Sequence, residues 1–171
     1  MVWISYEKIE NLNKNLENLY LLVDENFSLS ICNEFKELHN LYLKGPITNI
    51  ELIPEQIKRL EIYKHNIANL DLSHQNLQQL TIKCGPLTKI NTSLPMLELL
   101  NLNQNKLTKM PLLRDYRYLK NIYLQKNQIE YLDFDCLPDF TEKLYLSGNK
   151  INRTNLIKNK NKVMNLKSID I

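Results

Sequence analysis

The pattern L-x-x-L-x-L-x-x-N-x-L, complete at Leu97, Leu100, Leu102, Asn105 and Leu107, recurs along nearly the whole chain. It returns at Leu119, Ile122, Leu124, Asn127 and Ile129, and again at Leu144, Leu146, Asn149 and Ile151, with a period of roughly 20–22 residues. Toward the N-terminus Leu77, Leu80, Ile82, Leu87 and Ile90 keep the register with Gly85 in the asparagine position. Ile57, Leu60, Ile62, Ile67 and Leu70 keep it with His65 there. Leu38, Leu41 and Leu43 open an earlier copy whose turn, Lys44 to Ile47, is about one residue short of the template. Leu16, Leu19 and Leu21 open one before that, and Leu166, Ile169 and Ile171 begin an eighth. A single such unit cannot bury its own apolar side, so stacking of neighbours must create the core.

These motifs resemble the leucine-rich repeat family, and the resemblance covers nearly all of the chain. It implies an α/β solenoid, a curved right-handed superhelix whose concave parallel sheet has about eight short strands. Each L-x-L is then a strand with its leucines inward, and the other residues return over a convex back. Repeats this short are similar to the cytoplasmic classes of the family, which include the regulatory subunit of protein phosphatase 1 and bacterial effector proteins. The asparagine amide is expected to bond the backbone of adjacent coils, satisfying polar groups buried in the turn. Gly85 and His65 interrupt that ladder, so the C-terminal half is expected to be the more regular. Asn91 to Met96, the segment from Pro111, and Asp133 to Pro138 lack helical periodicity and predict extended or single-turn structure.

The chain reads as one domain over its 171 residues, 43% of them hydrophobic, with no linker composition. Residues 1–15 predict an N-terminal cap, helical around Tyr6 to Asn15, with Trp3 packed beneath it as core. Residues 16–151 hold the repeats, and 152–171 a loop and a last strand that nothing covers. That edge predicts either homodimer pairing or a longer chain. No signal-peptide or membrane-spanning run is visible. Cys32, Cys84 and Cys136 are odd in number and dispersed, which predicts reduced thiols and a cytoplasmic setting, that of a host included. The triplets at Asn26, Asn91 and Asn152 match glycosylation sequons, but carry little weight in so asparagine-rich a chain. Abundant Asn, Lys and Ile point to an AT-rich genome, as in some insect viruses, protists and intracellular bacteria.

No catalytic constellation emerges. His39, His65 and His74 form no H-x-x-x-H pair and no cysteines stand in C-x-x-C spacing, so neither metal nor cofactor is expected. Asp133, Asp135 and Asp139 around Cys136 lack a neighbouring histidine base and read as a solvated back loop. Gly45, Gly85 and Gly148 are isolated, which excludes a phosphate loop. Lys158, Lys160 and Lys162 read as a solvated loop, with a nuclear-import signal second.

Function is therefore expected on the outward sheet face, where residues alternate with the inward leucines. The residue between the strand leucines is Tyr20, Tyr42, Glu61, Thr81, Asn101, Tyr123, Tyr145 and Asp170 in successive copies. Two positions earlier stand Asn18, Asn40, Arg59, Gln79, Leu99, Asn121, Lys143 and Ser168, and after the strands come Leu22, Val23, Lys44, Tyr63, Lys64, Lys83, Gln104 and Lys126. Leu99, Leu22 and Val23 stand out as apolar residues expected to point outward. The residues expected to contact a partner are Tyr20, Tyr42, Arg59, Glu61, Tyr63, Lys64, Lys83, Leu99, Tyr123, Lys126 and Tyr145. The face is modestly basic although the net charge is only +3, so a protein with an acidic surface is the expected partner. Nucleic acid, held by tyrosine stacking and lysines, is the competing reading.

Overall fold

A computed structural model of the chain describes residues 2–50, 52–151 and 165–171. Eleven strands are described, all paired in parallel: β1 (Ile4–Ser5), β2 (Asn18–Leu22), β3 (Asn40–Lys44), β4 (Arg59–Tyr63), β5 (Asn69–Ser73), β6 (Gln79–Lys83), β7 (Lys89–Ser93), β8 (Leu99–Asn101), β9 (Asn121–Tyr123), β10 (Lys143–Tyr145) and β11 (Ser168–Asp170). The main sheet holds nine of them in the order β1-β2-β3-β4-β6-β8-β9-β10-β11, and β5 pairs with β7 in a second, two-stranded sheet. Between β4 and β8 the chain passes alternately from one sheet to the other. The helices described are short 3₁₀ segments at Tyr6–Asn11, Leu29–Glu34 and Phe134–Cys136. The main sheet thus has one strand beyond the eight repeat copies, and part of the return path is itself a sheet.

Period-2 alternation places Leu19, Leu21, Leu41, Leu43, Leu60, Ile62, Leu80, Ile82, Leu100 and Ile122 on the inner side of the main sheet, almost wholly buried. Leu70 and Leu72 of β5, with Ile47, Ile57, Leu87, Leu94, Leu97, Leu113 and Leu132 from the return segments, close the core from behind. Parallel neighbours need a crossover of a dozen or more residues, and these return segments supply it. Ile169 and Ile171, at the far edge, are 42% and 48% exposed.

Every turn after a main-sheet strand faces the same problem: its backbone N–H and C=O groups lie inside the stack and need partners. Asn105 donates through Nδ2 to the carbonyls of Ile82 and Leu102, Asn127 to those of Leu102 and Leu124, and Asn149 to those of Leu124 and Leu146, at 2.6–3.0 Å. In return the Leu107 and Ile129 amides donate to Asn127 Oδ1 and Asn149 Oδ1. One residue earlier, Lys64, Cys84, Gln104, Lys126 and Gly148 all adopt a left-handed backbone, with φ between 54° and 75°. The N–H groups of Lys64, Cys84, Gln104 and Lys126 each donate to a carbonyl of the next coil. In the short turn after β3 the corresponding residue is Gly45, where a Cβ would lie 1.8 Å from the Val23 carbonyl oxygen, so only glycine fits.

The two departures from asparagine compensate each other. The His65 ring accepts the Ile67 amide of its own turn at Nδ1, where the ladder asparagines accept an amide of the preceding coil, and projects over the next coil, where a Cβ on Gly85 would lie 2.2–2.6 Å from the ring atoms. Histidine at 65 thus requires glycine at 85. Asn105 Oδ1 and His65 Nε2 are left without a close hydrogen-bond partner among the described residues, and the ladder restarts beyond them. The C-terminal half has the more regular asparagine ladder, as the sequence suggested, but not the more regular strands: β2 to β6 run five residues each, β8 to β11 three.

Three further expectations need correction. Trp3 is not core under a cap; β1 pairs with β2, Ile4 opposite Leu21, and carries Trp3 onto the outer face. The cap is a single 3₁₀ segment ending at Asn11. Val23 points inward and is buried, because period-2 alternation puts it on the same side as Leu19 and Leu21, and of the two only Leu22 stays exposed. Asn152 and the lysines at 158, 160 and 162 lie outside the described residues. Among the described residues no helix is long and apolar enough to cross a membrane.

Gly85→Asn forces a side chain into the His65 ring and should destabilise the fold by about 1–3 kcal/mol. His65→Asn with Gly85→Asn rebuilds the ladder and should recover most of that loss in urea unfolding, a strong non-additivity. Burial also holds the His65 pKa below that of ordinary imidazole, so the unfolded chain binds a proton that the folded chain refuses. The stability this group contributes is therefore full above about pH 6.5 and declines as pH falls below it. His65→Asn should flatten the dependence of the urea midpoint on pH below about 6.5 relative to wild type.

Candidate functional site

Strand register alone aligns the outer columns. Tyr20 lies opposite Tyr42, Tyr42 opposite Glu61, then Thr81, Asn101, Tyr123, Tyr145 and Asp170 follow in one unbroken row. Neighbours in such a row are about 4.8 Å apart, the spacing at which rings stack. Tyr20 and Tyr42 stack at 4.2 Å with planes 9° apart, and Tyr123 and Tyr145 at 5.0 Å and 10°. The Tyr145 hydroxyl lies 3.5 Å from Ser168 Oγ.

The N-terminal pair is part of a larger cluster. Trp3 meets Tyr20 edge-on at 5.7 Å, extending the aromatic wall by one strand. The Arg59 guanidinium lies 5.5 Å over Tyr42, the Lys44 ammonium 5.9 Å over Trp3, and the Lys83 ammonium 5.8 Å over Tyr63. Each is within the range in which a cation is attracted to a ring. Trp3, Tyr20, Tyr42, Lys44, Arg59 and Tyr63, together with Glu61, Lys64 and Cys84, line a cleft of about 470 Å³ on the sheet face, with Lys83 beside it.

Glu61 organises this cluster. Only 6% exposed, it accepts from Arg59 Nε at 2.6 Å through Oε1 and from the Tyr63 hydroxyl through Oε2, while Arg59 Nη2 pairs with it as well. A buried carboxylate so engaged is satisfied by its own neighbours, and its effect on a partner acts through the side chains it fixes. Burial, then the hydrogen bond from Tyr63 to the Glu61 carboxylate, pushes the Tyr63 phenol far above its usual pKa. Burial likewise raises Tyr42, so both phenols stay protonated and can donate. Among the described residues no carboxylate pairs with Lys44, Lys64 or Lys83.

Seven of the residues expected at an interface, Tyr20, Tyr42, Arg59, Glu61, Tyr63, Lys64 and Lys83, therefore gather around one cleft. Tyr123, Tyr145 and Lys126 sit toward the other end of the sheet, and Leu99, half-buried on β8, between the two groups. Sequence reasoning missed Trp3 and Cys84. The alternation Trp3, Ile4, Ser5, with Ile4 half-buried and paired to β2, was the available signal for the first. It also missed Met96, Tyr118 and Phe140, which precede the repeat positions Leu97, Leu119 and Thr141 and are 44%, 53% and 60% exposed.

The thiols offer no activated nucleophile. Burial pushes Cys32 up to about 12, and burial plus the hydrogen bond to Asp133 at 3.3 Å pushes Cys136 up to about 11. The Cys84 thiol donates to Gln104 Oε1 at 2.9 Å. No group of three or more His, Cys, Asp or Glu among the described residues is placed to hold a metal ion.

Glu61→Ala should destabilise the fold by about 1–3 kcal/mol, because Arg59 and Tyr63 lose a shared, enclosed partner. Arg59→Ala combined with Glu61→Ala should cost clearly less than the two single losses added, as measured by urea unfolding. No protein-family model matches the chain, and no curated protein is similar to it.

Proposed function

We propose that the chain is a leucine-rich repeat solenoid and a non-enzymatic binding module, and that its outward face, concave in such a solenoid, grips a protein partner with an acidic surface. The observation that carries this reading is the aromatic row: two stacked tyrosine pairs in one strand register, with unpaired lysines beside the first. Stacking already restricts these rings, so little rotamer freedom is left to lose on association. Tyrosine contributes large rigid area with a polar tip, which suits it to interface anchors. Tyr42, Tyr123 and Tyr145 are the anchors in this reading, and Arg59, Lys64 and Lys83 the charge complement.

Size supports the same reading. Nine strands spaced about 4.8 Å apart give a face roughly 38 Å long, enough for an interface of standard size, about 800 Å² per partner. The raised pKa values of the Cys32 and Cys136 thiols and the engaged carboxylate of Glu61 favour binding over catalysis. Three unpaired cysteines suit a reducing compartment such as the cytoplasm.

The test is affinity capture from cytosolic extract with three baits: wild type, Tyr123→Ala with Tyr145→Ala, and Met96→Ser with Tyr118→Ser and Phe140→Ser. A partner held by wild type and by the triple variant, and reduced at least tenfold with the tyrosine variant, is the expected result. Loss with the triple variant alone would move the site to the exposed strip at Met96, Tyr118 and Phe140 and overturn the reading.

A further inference from the structure

Within the face just described, the cleft beside Trp3 has a chemistry of its own, and its interpretation rests on the protein-binding reading above. Its walls are the rings of Trp3, Tyr20 and Tyr42, already locked together by stacking and edge contacts. At about 470 Å³ it falls within the range of pockets that enclose a ligand group, roughly 300–1,000 Å³. Its one lining carboxylate, Glu61, is enclosed and bound by Arg59 and Tyr63, so the charge offered to solvent is that of Lys44, Lys64 and, next to it, Lys83.

The placement of those cations defines the occupant. Lys44 and Lys83 belong to one column, with Tyr63 between them in register. Two strand spacings separate them, about 9.6 Å. A peptide in the polyproline-II conformation rises about 3.1 Å per residue with three residues per turn, so side chains three positions apart share a face about 9.3 Å apart and match this interval. The wall of Trp3, Tyr20 and Tyr42 lies on the Lys44 side of this pair, so it suits an aromatic side chain flanking the first of two acids. We infer that the cleft recognises an acidic segment of a partner protein in the polyproline-II conformation, with one aromatic side chain seated against Trp3, Tyr20 and Tyr42 and, after it, two carboxylates three residues apart on Lys44 and Lys83.

Lys64 closes the cleft from a turn position with φ 57°, a left-handed backbone that glycine adopts without strain. Lys64→Gly therefore removes a charge while leaving the turn at least as comfortable as before. This separates a role in binding from a role in folding.

The chain has a single tryptophan, and it forms the cleft wall, so its emission reports occupancy directly. The probe is the blocked heptapeptide Gly-Phe-Glu-Ala-Ala-Glu-Gly, titrated to millimolar concentration at low salt. The expected result is a saturable change in Trp3 emission. Binding should weaken at least tenfold when both glutamates become lysine or the phenylalanine becomes alanine, and at least threefold in each of Lys44→Ala, Lys83→Ala and Lys64→Gly, the last with an unchanged melting temperature. Absence of a saturable change, equal binding of the lysine peptide, or displacement of the peptide by a thymidine oligonucleotide that binds more tightly would overturn the inference. If it fell while capture still depended on Tyr123 and Tyr145, the broader face would stand without this cleft; if capture were indifferent to those tyrosines while the peptide bound, the reverse would hold.

Discussion

The turn at the end of each main-sheet strand is the constraint on which the rest of this structure depends. There the chain leaves a hydrogen-bonded strand inside a stack, and carbonyls such as those of Leu102, Leu124 and Leu146 would be buried without partners. A buried, unanswered backbone group costs about 1–3 kcal/mol. One asparagine amide answers two of them at once, one in its own coil and one in the coil before. The left-handed residue just ahead of it lets the chain bend sharply enough to bring the amide in. Neighbouring coils are thus tied by directional bonds as well as by leucines, and slippage of one coil past another would break both.

This fixed register turns a list of surface residues into a site. Inward leucines and turn amides carry the folding, so the alternate positions are released from core duty and line up in rows by the pairing of the strands. Rings brought to strand spacing stack with no further instruction. Glu61 shows a second level of organisation on the same face: enclosed between Arg59 and Tyr63, it holds one side chain over Tyr42 and the other under Lys83. A buried charge network of this kind contributes little net stability, but it restricts the positions that its members can take.

The strands were legible in the sequence because period-2 alternation of leucine with polar residues has no other reading at this spacing. The outer columns followed directly. What escaped were features whose cause lies in a neighbouring coil. His65 and Gly85 each looked like a defect, and only their superposition shows a ring filling the space that glycine vacates. Glu61 looked like an exposed acid because alternation predicts direction, whereas burial depends on the large side chains at Arg59 and Tyr63 beside it. Val23 was legible: alternation from Leu19 and Leu21 already turns it inward, although its place just after the strand grouped it with the outward residues. Trp3 stands just ahead of the two-residue strand β1, so the only signal for it was the brief alternation Trp3, Ile4, Ser5. The β5–β7 pairing lies in the return path, where the stretch from Asn91 to Met96, overlapping β7, indicated only extended or single-turn structure.

The face is uneven along its length, and the unevenness restricts what can engage it. Between the two tyrosine pairs the central row carries Thr81 and Asn101, with Thr81 only 7% exposed. Such small or sunken side chains give a partner little area to bury. From Tyr42 to Tyr123 the row crosses four strand spacings, about 19 Å. A partner that touches both pairs must bridge that interval, which corresponds to about six residues of extended chain or thirteen of helix. Because the anchors are set in a sheet whose spacing is fixed by backbone bonding, the face cannot adjust to a shorter ligand. A segment engaging only one end forgoes the gain in effective concentration that the second contact would bring, so length as well as charge becomes a criterion of recognition.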